Sequence, residues 1–182
     1  MAEELFRKAY RFYGMHAFKA RQLYSVIDSK TKAQIFRYAK DFYAYAPLVG
    51  YLYNRRAGLD HTKDKETGET YDLTVMAEQV GSISEILSFN YCLIMLLDSE
   101  YEPEAEKRVD KAFRNVGKDP ADVARFDEYV RGGIDVLYEK LIEGANKDSD
   151  EFAARIFDFV SDIEERYNNG LDLDTLLSQY AN

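Results

Sequence analysis

The spacing of apolar residues is the strongest constraint on the fold of this chain. Apolar side chains recur three and four positions apart over most of its 182 residues, whereas alternation with period two is nearly absent. Only three prolines interrupt this pattern. The sequence therefore predicts an all-α fold, a single compact multi-helix domain of about seven helices that spans residues 1–182.

Capping residues, glycines and prolines set the predicted ends of the helices. Gly14 is expected to end the first helix, and Pro47 to kink or end the third. Thr31 and Gln34 have the spacing of a capping box, and Asp119-Pro120 has the pattern of a helix start. The predicted helices cover Glu3–Tyr13, Ala17–Ile27, Ile35–Ala46, Ser84–Leu97, Pro103–Val116, Pro120–Ile142, Ser149–Tyr167 and Asp172–Tyr180.

Three segments depart from this helical pattern. Polar residues and two glycines over Gly58–Thr70 predict an exposed loop. The segment Tyr71–Val80 fits either a helix or a strand. Gly132-Gly133 is a candidate interruption of the long helix that contains it.

Charge is divided unevenly along the chain. The net charge of −9 combines +7 over Met1–Arg56 with −16 over Ala57–Asn182, and the basic part carries eight of the 15 tyrosines. Cations among aromatic rings are typical of nucleic-acid-binding surfaces. The alternative is that the two parts attract each other within the fold and that the tyrosines pack in the core.

Composition excludes several classes of protein and site. The single Cys92 rules out an intramolecular disulfide and a cysteine-based zinc cluster, and two histidines rule out a histidine-rich metal site. The charged segment Met1–Phe12 is unlike a signal peptide, and the apolar run Tyr91–Leu97 is far below the roughly 20 residues of a membrane span. We therefore expect a cytoplasmic protein without a metal or cofactor.

Candidate catalytic residues are few, and we expect no enzymatic activity. Cys92 lies in the most apolar segment and is expected to be an inert buried thiol, and His16 to be structural. His61 follows Arg55 and Arg56 within the predicted loop. A histidine beside arginines could act as a general base at a phosphodiester, but no partner that would fix its orientation is evident.

The adjacent Arg55 and Arg56 are the strongest interaction candidates. Two arginines just past a helix end can contact phosphates or the carboxylates of a partner protein. The alternative is that they interact with the dipole of the preceding helix. The candidate interaction or nucleic-acid-binding residues are Lys32, Arg37, Arg55, Arg56 and His61.

Two segments resemble elements of a known family. The first is Ile35-Phe36-Arg37-Tyr38-Ala39 followed by Leu48, Gly50, Tyr51 and Arg55-Arg56, and the second is Phe126–Leu137 with its Glu128-Tyr129 and Gly132-Gly133 pairs. Both are similar to small helical accessory proteins of bacterial DNA-phosphorothioation (Dnd-type) and related phage-defence loci. The resemblance implies an accessory or regulatory role in a defence or DNA-modification system, and it transfers no catalytic residues.

These observations favour a non-enzymatic accessory or regulatory protein that binds a larger protein partner. One alternative is a nucleic-acid-binding protein that uses residues 1–56, and another is an acidic protein that mimics DNA and occupies a basic cleft. A homo-oligomer is a further option, because tyrosines such as Tyr38, Tyr45 and Tyr53 suit an interface.

Overall fold

The protein folds mainly as helices in the computed structural model, which describes residues 5–28, 31–146 and 149–170. Seven α-helices, one π-helical turn and a two-stranded sheet lie within these ranges, which confirms the all-α fold class. In chain order the elements are β1 (Tyr10–Tyr13), α1 (Gly14–Leu23), α2 (Ala39–Leu52), β2 (Asp72–Val75), α3 (Ala77–Gly81), α4 (Ser84–Leu97), α5 (Ala105–Val109), the π-turn (Asp110–Arg114), α6 (Pro120–Leu141) and α7 (Ser149–Gly170).

Helices α2 and α6 approach each other so closely that only glycine fits at their contact. A Cβ atom on Gly133 would overlap the carbonyl oxygen of Ala46, and one on Gly50 would overlap that of Tyr129. The candidate interruption of α6 at Gly132-Gly133 does not occur, because the helix is continuous from Pro120 to Leu141. Gly132 and Gly133 instead allow α6 to contact two backbone segments closely: Gly133 lies against α2 and Gly132 against the segment that follows it.

Aromatic side chains fill much of the core. Phe12 packs against Phe42 and Tyr43 beneath the sheet, and Phe126 packs against Tyr91, with ring centroids 5.6 to 6.0 Å apart. All five side chains are at most 2% exposed. Burial of several aromatic rings supplies a large hydrophobic stabilisation, so part of the tyrosine-rich N-terminal third belongs to the core.

The small sheet was absent from the sequence prediction. Strands β1 and β2 are antiparallel, with Tyr10 opposite Val75 and Tyr13 opposite Asp72. The predicted helix Glu3–Tyr13 is therefore wrong over Tyr10–Tyr13, and its first two residues lie outside the described ranges. Gly14 begins α1 rather than ending a helix, since its φ of +57° turns the chain from strand to helix.

Helix α2, which corresponds to the third predicted helix, begins and ends later than predicted. The Thr31 hydroxyl donates to Asp28, the Gln34 amide donates to the carbonyl of Tyr24, and neither residue opens α2. Asp41 caps the helix instead by accepting a hydrogen bond of 2.8 Å from the backbone N–H of Tyr38. Of the two expected effects of Pro47, a kink or an end, the end does not occur, because α2 continues to Leu52.

Local signals were accurate elsewhere. Helix α4 has the predicted bounds, and the Asp119 carboxylate caps α6 by accepting from Ala121 N–H at 2.9 Å. The ambiguous segment Tyr71–Val80 contains both β2 and most of α3. Helix α7 starts at Ser149 as predicted and runs beyond Tyr167 to Gly170, whereas the predicted helix Asp172–Tyr180 lies outside the described residues. None of the helices described here has the length and apolar character needed to cross a membrane.

Candidate functional site

The basic N-terminal third is neutralised in part by acidic residues from the rest of the chain. The Lys19 ammonium lies 2.8 Å from an Asp135 oxygen, and both Arg11 and Arg21 pair with Asp72. These contacts hold α1 and β1 against β2 and α6. The two oppositely charged parts of the sequence therefore attract each other within the fold.

Arg55 and Arg56 have different environments. The Arg55 guanidinium lies 2.8 Å from the Glu139 carboxylate, and Ala57 N–H donates to the Glu128 carbonyl at 3.0 Å, so this segment is fixed to α6. The Arg56 side chain is exposed at the rim of a shallow cavity of about 380 Å³. Of the two candidates, only Arg56 has no ion pair among the described residues.

Lys32 and Arg37 lie at the opposite end of α2 from Arg55 and Arg56. Lys32 is exposed, and the Arg37 guanidinium stacks on the Tyr38 ring with its carbon 5.3 Å from the ring centroid. The 14 residues of α2 span about 21 Å. The structure therefore does not bring the five candidate residues together as one site.

His61 lies in an exposed loop that is fastened to the start of α1. The Asp60 carboxylate accepts hydrogen bonds from Met15 N–H and Thr62 N–H. Partial burial raises the pKa of Asp60, but these hydrogen bonds outweigh it and the net pKa is lowered. The His61 ring centroid lies 5.9 Å from that of Tyr13. His61 therefore lies beside an aromatic ring, and the adjacent Asp60 carboxylate already accepts hydrogen bonds at the start of α1.

The remaining candidates for reactive chemistry are partly or fully buried. His16 is 6% exposed, and its Nε2 lies 3.5 Å from an Asp135 oxygen, as expected of a structural histidine. Burial raises the pKa of the half-buried Cys92 thiol, which disfavours the reactive thiolate. His16 therefore fits the structural role expected from the sequence, whereas Cys92 is only partly buried and not fully buried as expected.

The most distinctive surface of the molecule is apolar and is formed by α2 and α4. Its most exposed members are Phe89 at 64%, Tyr45 at 60% and Ile86 at 49%. We call this surface the α2–α4 face, and it consists of Tyr45, Leu48, Leu52, Ile86, Phe89, Leu93, Leu96 and Leu97. Contiguous exposed apolar residues of this kind are characteristic of interaction surfaces.

Helices α2 and α4 run side by side in the same direction. The Lys40 ammonium reaches Ser82 near one end, the Asn90 amide donates to the Ala44 carbonyl at 2.8 Å in the middle, and Leu52 and Leu97 line one cavity at the other end.

Because the helices are parallel, their outer residues point to a common side. Tyr45 comes one residue after Ala44, which contacts α4, and Phe89 comes one residue before Asn90, which contacts α2. Each residue rotates the side chain by 100° about its helix axis. On two parallel helices that face each other, a step forward on one and a step back on the other turn Tyr45 and Phe89 to the same side. The exposed rows of the two helices therefore form one surface.

A buried polar network holds the end of α4 in place. The Asp98 carboxylate, 4% exposed, accepts from Arg125 Nε at 2.8 Å and from the Tyr129 hydroxyl at 2.9 Å. Burial and the hydrogen bond to Asp98 raise the pKa of Tyr129, so its hydroxyl remains a donor. The network joins the end of α4 to α6.

The turn after α5 adds further apolar side chains beside α4. Phe113 is 61% exposed and Val109 is 37% exposed, four residues apart. The Arg108 guanidinium donates to the carbonyl of Leu96 at 2.9 Å and so attaches this segment to α4. The apolar surface is thus bordered by a second, smaller apolar strip.

The predicted bounds of α4 are correct, but its apolar residues lie in two different environments. Leu87, Tyr91 and Ile94 are indeed in the core, whereas Ile86 and Phe89 are exposed. The missed signal is the heptad-like spacing of Ile86, Phe89, Leu93 and Leu96, which forms a second apolar row beside the core row. Among the tyrosines proposed for an interface, Tyr45 belongs to the face, whereas Tyr53 packs on Phe159 of α7 within the chain.

Comparisons with known proteins returned no matching family model, no matching curated protein and no matching solved structure.

Proposed function

We propose that this protein is a non-enzymatic accessory or regulatory protein that binds a helical segment of a larger protein through the α2–α4 face. The exposed row of Tyr45, Ile86 and Phe89 on two parallel helices joined by the Asn90–Ala44 hydrogen bond is the observation that carries this proposal. A shallow surface between two helices is suited to the apolar side of an amphipathic helix.

The energetics favour a protein partner over solvent. Phe89, Tyr45 and Ile86 each leave about half or more of their surface in water in the free protein. Covering a side chain of this size contributes about 1.5 to 3 kcal/mol when burial is complete. Aromatic residues at the centre of a surface are also frequent hot spots of binding energy.

The setting that we propose is a bacterial phage-defence or DNA-modification system. It rests on the resemblance of Ile35–Arg56 and Phe126–Leu137 to the Dnd-associated accessory proteins. The nucleic-acid alternative ranks below it, since Arg11, Lys19, Arg21 and Arg55 are already paired with carboxylates. The DNA-mimic alternative is weakened by the same pairs, because the carboxylates in them are neutralised within the chain and do not add to an acidic surface.

Co-expression with the products of neighbouring genes tests the proposal. We expect one of them to form a stable complex that elutes with this protein during size-exclusion chromatography. The double variant Ile86→Lys/Phe89→Lys should abolish the complex, because two charges would have to be buried at its centre. Both side chains are exposed, so the thermal midpoint of the free protein should change little.

The matched control is Leu59→Lys, at a leucine that is 68% exposed in the loop after α2 and outside the face. This variant should retain the complex. Recovery of free wild-type protein alone, or equal complex formation by the double variant, would contradict the proposal.

A further inference from the structure

Helix α7 carries an apolar surface that its contacts within the chain cover only in part. Phe152 and Phe159 are buried, and Tyr53 stacks on Phe159 with ring planes 19° apart. The Tyr53 hydroxyl also donates to Asp162 at 2.6 Å, and Lys140 pairs with the same carboxylate at 3.1 Å. One side of α7 is therefore firmly attached to α6 and to the end of α2.

The apolar residues of α7 continue around the helix beyond this attachment. Phe157 is 71% exposed, Tyr167 is 61% exposed, Val160 is 55% exposed and Ile156 is 38% exposed. At 100° per residue these four side chains lie within an arc of about 100°, next to the arc of the buried residues. We call Ile156, Phe157, Val160 and Tyr167 the α7 stripe.

Two exposed acids lie in and beyond this stripe. At 100° per residue Glu164 falls between Val160 and Phe157, and Glu165 lies about 80° beyond Phe157, on the side away from the buried residues. The cations of α7 lie on the other side, where Arg155 pairs with Glu151 at 3.0 Å and Arg166 with Asp162 at 2.9 Å. The surface therefore combines an apolar row with two acids, Glu164 and Glu165, that form no ion pair among the described residues.

We propose that the α7 stripe binds a basic amphipathic helix of another protein, one with an apolar row flanked by Lys and Arg. Its basic side chains would complement the acids of α7, which the two other candidate ligands would not. A second copy of α7 would oppose acids to acids, and residues 171–182 of this chain carry two aspartates and no cation. Complementary charges at the rim add selectivity and speed association, while the buried rings contribute most of the affinity.

Binding of designed peptides to the full-length protein tests this inference. The probe is a fluorescent 18-residue Leu/Lys helix, and the comparison peptide keeps the leucines but replaces every Lys with Glu. We expect fluorescence anisotropy to show at least tenfold tighter binding of the Leu/Lys peptide. Phe157→Ser should weaken that binding at least tenfold, and this exposed side chain can be removed without disturbing the core.

Charge variants separate the stripe from the general acidity of the protein. Glu164→Lys/Glu165→Lys should weaken binding of the Leu/Lys peptide severalfold, whereas the control Glu69→Lys/Glu100→Lys, at exposed acids outside α7, should have little effect. Equal binding of both peptides, no binding, or equal losses in the two charge variants would overturn the proposal. So would a dimer that dissociates on Phe157→Ser, or Leu/Lys binding that appears only after deletion of residues 171–182. Ile86→Lys/Phe89→Lys should leave peptide binding unchanged, which keeps this test distinct from that of the α2–α4 face.

Discussion

Asp127 on α6 is a carboxylate whose ionisation should lower the stability of the folded protein. Burial raises its pKa to about 6, although Arg131 and the Tyr10 hydroxyl act in the opposite direction. Tyr10 itself stacks on buried Tyr43, with ring centroids 4.5 Å apart. The partly buried carboxylate therefore lies beside the stacked rings of Tyr10 and Tyr43.

The stability effect follows from the difference between about 6 in the folded protein and the ordinary value of 3.8. Each pH unit of difference is worth 1.36 kcal/mol, so the ionised carboxylate costs about 3 kcal/mol above pH 7. Because the folded pKa is the higher one, the folded protein binds more protons between pH 4 and 6. The contribution of Asp127 to the free energy of unfolding therefore rises as the pH falls. It becomes about 2 kcal/mol more favourable between pH 7.5 and pH 4.5.

The variant Asp127→Asn removes this titration. We expect it to stabilise the protein by about 1 to 3 kcal/mol at pH 7.5, the lower values applying if the attraction between Asp127 and Arg131 is large. At pH 4.5 the stabilisation should be smaller by about 2 kcal/mol. Urea denaturation followed by circular dichroism at both pH values measures the difference. The control Glu165→Gln, at an exposed carboxylate of α7, should show little change with pH. A stability difference for Asp127→Asn that is the same at both pH values would refute the reasoning.

Three further substitutions test the contact between two helix backbones, a helix cap and a side-chain hydrogen bond. Gly133→Ala should destabilise by about 3 kcal/mol in urea denaturation, because its Cβ meets the backbone of α2, whereas Gly81→Ala has open space and should not destabilise. Asp119→Ala should cost about 1 kcal/mol by thermal denaturation, from loss of the cap of α6. Tyr53→Phe should raise the pKa of Asp162 from about 2, since the Tyr53 hydrogen bond is the main cause of its depression, and carboxyl NMR titration measures this.

The elements that the sequence predicted well are those with local signals. Helix α4 was bounded correctly by its apolar run, and α6 by the cap of Asp119 and by Pro120. These signals lie within a few residues of the structure that they specify. Most of the all-α fold class follows from them.

The elements that the sequence did not predict depend on distant contacts. Strand β1 forms because Asp72–Val75 pairs with it from more than 50 residues away, and Gly14 was read as a helix end because its role is set by that sheet. The Gly132-Gly133 pair was taken as an interruption for the same reason, since the neighbouring backbone of α2 is not visible in the local sequence.

The candidate site was predicted least well, because exposure is a tertiary property. The spacing of apolar residues shows two rows on α4 but not which of them is covered: Phe89 is 64% exposed, whereas Tyr91 two residues later is fully buried. Charge patterning drew attention to Arg55, yet its pairing with Glu139 depends on how α2 packs on α6.

Hydrogen–deuterium exchange of the complex with the co-expressed partner tests the central claim most directly. We expect slower exchange on partner binding across α2 and α4, with residues 58–70 unchanged. Protection confined to residues 58–70, or to the segments that carry Lys32, Arg37 and Arg56, would contradict the assignment of the α2–α4 face as the binding surface.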